Sequence, residues 1–431
     1  MRRTYFFIAF VMVTGMFHAG FAQELGNPII ITGAAGGQQF PDVAYNSRDN
    51  TFLVVWEDVL AENFYEIHGV LVNGESGQPL GEPTVFMAAN IGIDAPEIAY
   101  NSRDNEFVVV ARRRGNDMAL ARRISAQGRP VGEIVELGPS YGPTFFDSAS
   151  RARVVSVVYN QTENQYFVGL GEPMTGQILF ADLSLDLPVD QIGAGTNPAV
   201  AWSSVSNVYL MAWEDRVVRN TGSENLSAQL FTNTGIFIGD TILLRDQDFA
   251  EESPRVAYNP DDDQFLVVWD ERIGFSEGLD PMTLTDTIGQ IVSADGSLVG
   301  SPIPIEAGTA YTLRQDVDYS SPAGLYLVVW KGDESGDFAF ADIFGRLINR
   351  DGSFASDAFL IYDAGDDNTD EGTSEQYYDE SKLPVVAVNT NTGAFFVVWE
   401  EAGTTRNPDD RDIMARFVAA QPSPVGEWMI L

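Results

Sequence analysis

The sequence predicts an all-β chain folded as a seven-bladed β-propeller of four-stranded antiparallel blades. Three observations carry that expectation. One hairpin-like pattern recurs seven times with a fixed internal spacing. Its second run is apolar at every position, where a one-sided strand would alternate. Each recurrence also has room for four strands, the unit that a propeller closes into a ring.

The pattern is plainest where "AYNSRDN" occurs at residues 44–50 and again, letter for letter, at 99–105. With Tyr45 and Trp56 as markers, equivalents fall at Tyr100/Ala111, Tyr159/Leu170, Trp202/Trp213, Tyr258/Trp269, Tyr319/Trp330 and Val388/Trp399, eleven apart in all seven. The first marker ends a short run such as "PDVAY", "PEIAY" or "PRVAY". The second ends a run such as "FLVVW" or "YLMAW". Between them lies a polar turn rich in Asn, Ser, Asp and Gly, so the two runs read as a hairpin, strands a and b.

A third run, c, carries one small residue at a fixed place: Gly69, Ala121, Ala181, Ala228, Gly289, Gly345 and Ala415. A turn such as "SADGSLVG" leads to a fourth short run, d. The repeats fall near 41–95, 96–147, 148–197, 198–253, 254–314, 315–383 and 384–431, within one domain over 23–431. The third is the most degraded, and its d strand is hard to place. An apolar "FLVVW" needs both faces covered, and a blade sandwiched between two neighbours provides that. Tandem sandwiches need seven or more strands per domain, more than such a unit supplies.

The pattern resembles the seven-bladed propellers common in secreted bacterial proteins, with their "YN…FLVVW" repeats, over about residues 26–431. That resemblance implies an architecture and is nearly silent on activity. Neither a sialidase-type Asp-box nor a WD-repeat signature is present. Ring closure poses a question. The segment 26–34 reads as a d strand without its blade and could complete the seventh. Yet "GEWMIL" (426–431) reads as that blade's own d strand, so one of the two must add a fifth strand or lie outside.

The first 22 residues read as a secretory signal peptide: Arg2 and Arg3, an apolar stretch, then small residues to Ala22. The mature protein is therefore expected to be secreted, extracellular or periplasmic, with no membrane insertion and as a monomer. The chain of 431 residues has no cysteine and is long enough to hold a core without disulfides. It carries 62 acidic and 25 basic residues, a formal net charge of −37, and lysine only at Lys331 and Lys382. That sign excludes a nucleic-acid partner, which needs a basic stripe.

The a–b and c–d turns hardly vary in length, whereas the b–c and d–a connections do. In an up-and-down blade the latter two emerge on one side, so a site is expected on that variable face, at the mouth of the channel. Carboxylates follow the b marker in four repeats: Glu57-Asp58, Glu214-Asp215, Asp270-Glu271 and Glu400-Glu401. They suit a cation site or glycosidase acids, but a residue repeated in most blades is expected to serve the blade. The second repeat inverts the sign with Arg112, Arg113 and Arg114, and the connection after it carries Tyr141, Phe145 and Phe146. Together these could bind an anionic glycan or a protein carboxylate, or the arginines could bridge to acids of neighbouring blades. In the loop 363–380, Asp366, Asn368 and Asp370 have the one-three-five spacing of a calcium loop, but Gly372 comes one position late and Tyr377 stands where the closing Glu belongs. A solvated acidic loop is the default reading there. His68, the one histidine outside the leader, is expected to pack. Ser-His-Asp, Cys-His and histidine-zinc chemistry are therefore excluded.

The main functional expectation is a non-catalytic binding propeller presenting its loop-rich acidic face to a glycan or protein ligand, with no certain cofactor. The first alternative is a carboxylate-dependent glycoside hydrolase or lyase-like enzyme at the channel mouth. The second is a calcium-binding scaffold.

Overall fold

The structure is a computed structural model. It describes residues 25–420 except 35, 62–63, 90–91, 141–153, 216–224, 247–250, 276–282, 309–311, 333–341, 364–382 and 403–410. Among them are 28 strands and no helix. In the first blade, strands β2 (Gly37–Asn46), β3 (Thr51–Ala61), β4 (Phe64–Asn73) and β5 (Thr84–Met87) pair antiparallel in chain order. Five further four-stranded sheets follow at 93–139, 155–193, 195–245, 251–306 and 312–362. The degraded third repeat has its d strand at Leu185–Gly193, with two register breaks against its neighbour.

The seventh blade answers the closure question. Its chain-ordered strands are Val385–Val388, Phe395–Ala402 and Arg411–Val418, and its fourth place is filled by β1 (Ile29–Thr32). In that pairing Ile29 lies opposite Ala415 and Ile30 opposite Met414. The rival segment 426–431 and the leader lie outside the described residues. One parallel pair, Gly37 with Arg411, joins the first and seventh blades.

Seven hydrophobic cores form, one at each boundary between blades. Strand β3 shows why its apolar run has no alternation. Phe52, Val54 and Trp56 enter the core shared with the seventh blade, while Leu53 and Val55 enter the core shared with the second. All five are fully buried, so no face of the b strand meets water. The small residue Gly69 on strand c is required by its neighbours, whereas in the third blade the matching place is Gly176, and Ala181 lies past the strand end. A Cβ on Gly69 would lie 2.3 Å from the Phe86 ring and 2.8 Å from the Val54 carbonyl oxygen.

The repeated "YNSRDN" closes a belt around the narrow-turn face. Asn46 Oδ1 accepts from the backbone N–H of Arg48 and Asp49, shaping its own turn. Its Nδ2 donates to Asn105 of the next blade at 3.0 Å. Asn101 reaches Asn164, Asn160 reaches Asn207, and Asn389 returns to Asn50 across the ring closure. The Tyr45, Tyr100 and Tyr159 hydroxyls donate to the Asn five residues on. Those Asn residues sit in the left-handed region (φ 52, 57 and 55°), which Asn tolerates better than other non-glycine residues.

Candidate active site at the channel mouth

The seven a strands stand innermost and begin at the variable face. Each is an edge strand whose outer N–H and C=O groups need partners. At their mouth-side ends five of them carry the same β-bulge. Each bulge holds one left-handed residue: Phe40, Ala95, Asn197, Ser253 and Arg314, with φ between 52 and 61°. Bulges of this kind re-aim side chains, and strained backbone concentrates at functional sites.

The acids after the b marker hold these bulges from the neighbouring blade. Glu57 Oε1 accepts from Ala95 N at 2.7 Å, Glu214 Oε1 from Ser253 N at 2.6 Å, and Asp270 Oδ2 from Arg314 N at 3.1 Å. Glu400 Oε2 accepts from Phe40 N at 2.8 Å and so clips the ring shut across 360 residues. All four acids are buried. Glu57 also accepts from Gln39, and Glu214 from the Asn197 amide. Burial pushes the Asp270 carboxyl well above the usual carboxylate range, against the pull of the Arg314 N–H. These acids fasten blade to blade, in line with the structural reading of their repetition.

The second blade replaces the acid by Arg112 and balances it locally. Arg112 forms a two-pronged pair with Asp94 at 2.9 and 2.8 Å. Arg114 meets the same carboxylate at 2.8 Å and stacks over the Tyr65 ring. Arg113 pairs with Glu136 at 2.6 Å. Two of the three sequence-predicted arginines thus converge on one acid and the third turns to another. Tyr141, Phe145, Phe146, Asp366, Asn368 and Asp370 all lie outside the described residues. Among the described residues no group of three or more His, Asp or Glu side chains is arranged to hold a metal. His68 stands between Asp58 and Glu66, at 3.5 and 3.1 Å.

Three residues before the a-strand marker, six of the seven blades place a residue along the channel. Asp42, Glu97, Ser156, Arg255 and Asp316 line one solvent-open space of about 560 Å³ there. Asp42 accepts from Ile98 N of the next blade at 2.9 Å, and Asp316 from Val386 N at 2.9 Å. Asp318, two residues further along the same face, accepts from Val388 N at 2.8 Å. Burial lifts its carboxyl to about 7, and the nearby Asp316 charge adds to the rise. Sequence reasoning passed over these acids. The available signal was a charged residue inside otherwise apolar runs: "PDVAY", "PEIAY", "QDVDY". Above this layer, Phe40, Ser253, Arg314, Gln315 and Leu383 frame the mouth itself, around a narrow cleft of about 20 Å³.

No protein-family model matches the chain, and no curated protein matches it either. Solved structures do. The chain is similar to the GH93 α-L-arabinofuranosidase of Fusarium graminearum in complex with arabinobiose, at a TM-score of 0.51 and 10% identity, over 92% of this chain and 98% of that one. It is also similar to Kuenenia stuttgartiensis hydrazine synthase, at 0.49 and 10%, over 75% and 79%. A thermostable family-43 glycoside hydrolase aligns at 0.36 and 14%, over 61% and 88%. At these identities the likeness is one of fold, and the fold is the propeller. The expectation of a non-catalytic binding propeller is corrected by the first comparison. That propeller, matched over 98% of its length, is a glycoside hydrolase, and at 10% identity the likeness is one of fold.

Proposed function

We propose that the protein is an exported, carboxylate-dependent glycoside hydrolase or lyase-like enzyme working in the channel behind its variable face. The observation that carries this reading is the convergence of Asp42, Glu97 and Asp316, from three blades, on one solvent-open space. Glycosidic cleavage needs one carboxylic acid to protonate the leaving oxygen and one carboxylate to attack or to activate water. Burial raises the Asp318 carboxyl to about 7, the direction a general acid at neutral pH needs. Asp316 lies two strand residues away, about 6.5 Å along the backbone, inside the range of roughly 5–10 Å that such pairs span. Support from the comparison with the arabinofuranosidase is limited to the shared scaffold.

The test is a hydrolysis screen of the secreted protein on arylglycosides and on polysaccharides that include arabinan. Asp42→Asn, Glu97→Gln, Asp316→Asn and Asp318→Asn are then measured on whichever substrate is cut. Loss of an essential acid or base should lower kcat by about 10²–10⁴-fold. A chain that cleaves no glycan, or four amide variants as active as the parent, would remove this reading.

A further inference from the structure

One place in the ring has two strands written for it. In the six blades built from consecutive strands, the partner of the small residue on strand c lies thirteen to fifteen positions further along. In four of them it lies fourteen along: Val135 opposite Ala121, Ile242 opposite Ala228, Ile303 opposite Gly289 and Phe359 opposite Gly345. In the seventh blade the small residue is Ala415, and its partner is Ile29 of β1. Yet the residue fourteen positions past Ala415 is Met429, inside "GEWMIL".

Burial gives a second match. Two residues past that partner, strand d sends an apolar side chain into the core: Phe86, Leu137, Leu244, Ile305 and Ile361 are all buried. β1 supplies Ile31, 4% exposed. The segment 426–431 has Leu431 at the same place. Its spacing and apolar sites are those of a d strand for the blade that β1 completes.

The turn explains why β1 comes first. Seven residues before the partner, five blades place a glycine with φ between 68 and 91°: Gly77, Gly128, Gly235, Gly296 and Gly352. The matching position before Met429 is Pro422, and the proline ring holds φ near about −65°. The in-chain connection therefore cannot repeat that turn. β1 arrives from the other end of the chain and needs none. It is also tied at its start. Gly26 N donates to the Phe417 carbonyl at 2.9 Å, and Arg416 donates to the Gly26 carbonyl. Ile29 fills the space left by Gly77 of the first blade, where a Cβ would clash with its Cδ1.

We infer that the fourth place of the seventh blade is an exchangeable seat whose second occupant is the chain's own segment 426–431. β1 holds the seat first. When β1 is withdrawn, 426–431 takes it with Met429 opposite Ala415, since only the difference between the two strands sets which is bound. The ring then stays shut while residues 25–32 are released as a loose apolar strand. The inference does not depend on any chemistry in the channel.

The test is a set of substitutions in the full chain, read by denaturant unfolding and by cross-linking. Ile31→Asp puts a charge in the core and disables β1. Ile361→Asp does the same in the sixth blade, whose d strand has no rival, and serves as the reference. Leu431→Asp disables the second strand. Ile31→Asp should lower the unfolding midpoint less than Ile361→Asp does, and Leu431→Asp alone should leave it unchanged. Ile31→Asp with Leu431→Asp should fall to the level of Ile361→Asp, a coupling that independent sites do not show. The chain has no cysteine, so disulfide links read the occupant directly. Met414→Cys with Ile30→Cys, residues that lie opposite one another, should link in the otherwise native chain, and Met414→Cys with Ile430→Cys should link poorly. Adding Ile31→Asp should reverse that preference. An Ile31→Asp chain that cannot fold, one that folds without gaining the 414–430 link, or additive effects of Ile31→Asp and Leu431→Asp overturns the inference.

Discussion

The two rims of the propeller solve one problem in different ways. At both, single left-handed residues turn the chain, in five blades at the mouth, and polar side chains cross to the neighbour. On the narrow-turn rim the left-handed residue does the crossing itself. Asn50, Asn105, Asn164, Asn207 and Asp263 hold φ between 52 and 57°, and each accepts from the aromatic marker of its own hairpin. On the mouth rim the work passes, in four blades, to an acid of the preceding blade, which grips the backbone N–H of the left-handed residue. That grip does not use the left-handed side chain, and its identity varies: Phe40, Ala95, Ser253, Arg314. A position whose side chain builds the scaffold repeats in sequence. A position whose backbone alone is held can change from blade to blade and line a binding site.

Substitutions sharpen this contrast in order of expected effect. Asn105→Ala should cost most, about 2–4 kcal/mol, because it deletes bonds to Tyr100, Asn46 and Asp49 and puts alanine in a left-handed well. Denaturant unfolding would report it as a lower midpoint. Glu57→Ala should cost about 1–3 kcal/mol, the range for leaving a buried N–H unsatisfied, since Ala95 N and the Gln39 amide both lose their acceptor. The effect of Asp318 depends on pH. Its carboxyl is raised to about 7 by burial, whereas in the unfolded chain it ionises near pH ~4. Between those values the folded state holds a proton that the unfolded state lacks, so stability falls as pH rises through the window and levels off above it. Melting temperatures from pH 4.5 to 8 should decline less steeply in Asp318→Asn than in the parent. Smallest of all, Ser253→Asn at the mouth should stay within about 0.5 kcal/mol. A loss there as large as that of Asn105→Ala would break the contrast between the rims.

Legibility in the sequence followed the same division. Blade architecture could be read because the Tyr, Asn and Trp of each hairpin build contacts that every blade repeats. The closing strand could be narrowed to two segments but not chosen. Residues 26–34 and 426–431 have similar apolar patterns, and which one sits beside Arg411–Val418 is a matter of three-dimensional fit. The four acids after the b marker were read as scaffold by their repetition, and they clip backbone in the structure. Asp42, Glu97 and Asp316 escaped notice because they sit inside strands that otherwise look like core. Only the ring places them around a common space. Arg112 was expected to bind an anion or to bridge to acids of neighbouring blades; its counterion, Asp94, stands instead on the paired strand of its own blade, 18 residues away.

The pairing of β1 with Arg411–Val418 also sets a timetable. The strand that emerges first from the ribosome is among the last to be seated, since its partner is made almost at the far end of the chain. Until then the nascent protein is an open arc with two raw flanks, unable to lock. Such a latch delays the rigid state until both strands are available, and it joins segments almost 400 residues apart in a single wedge of the finished wheel.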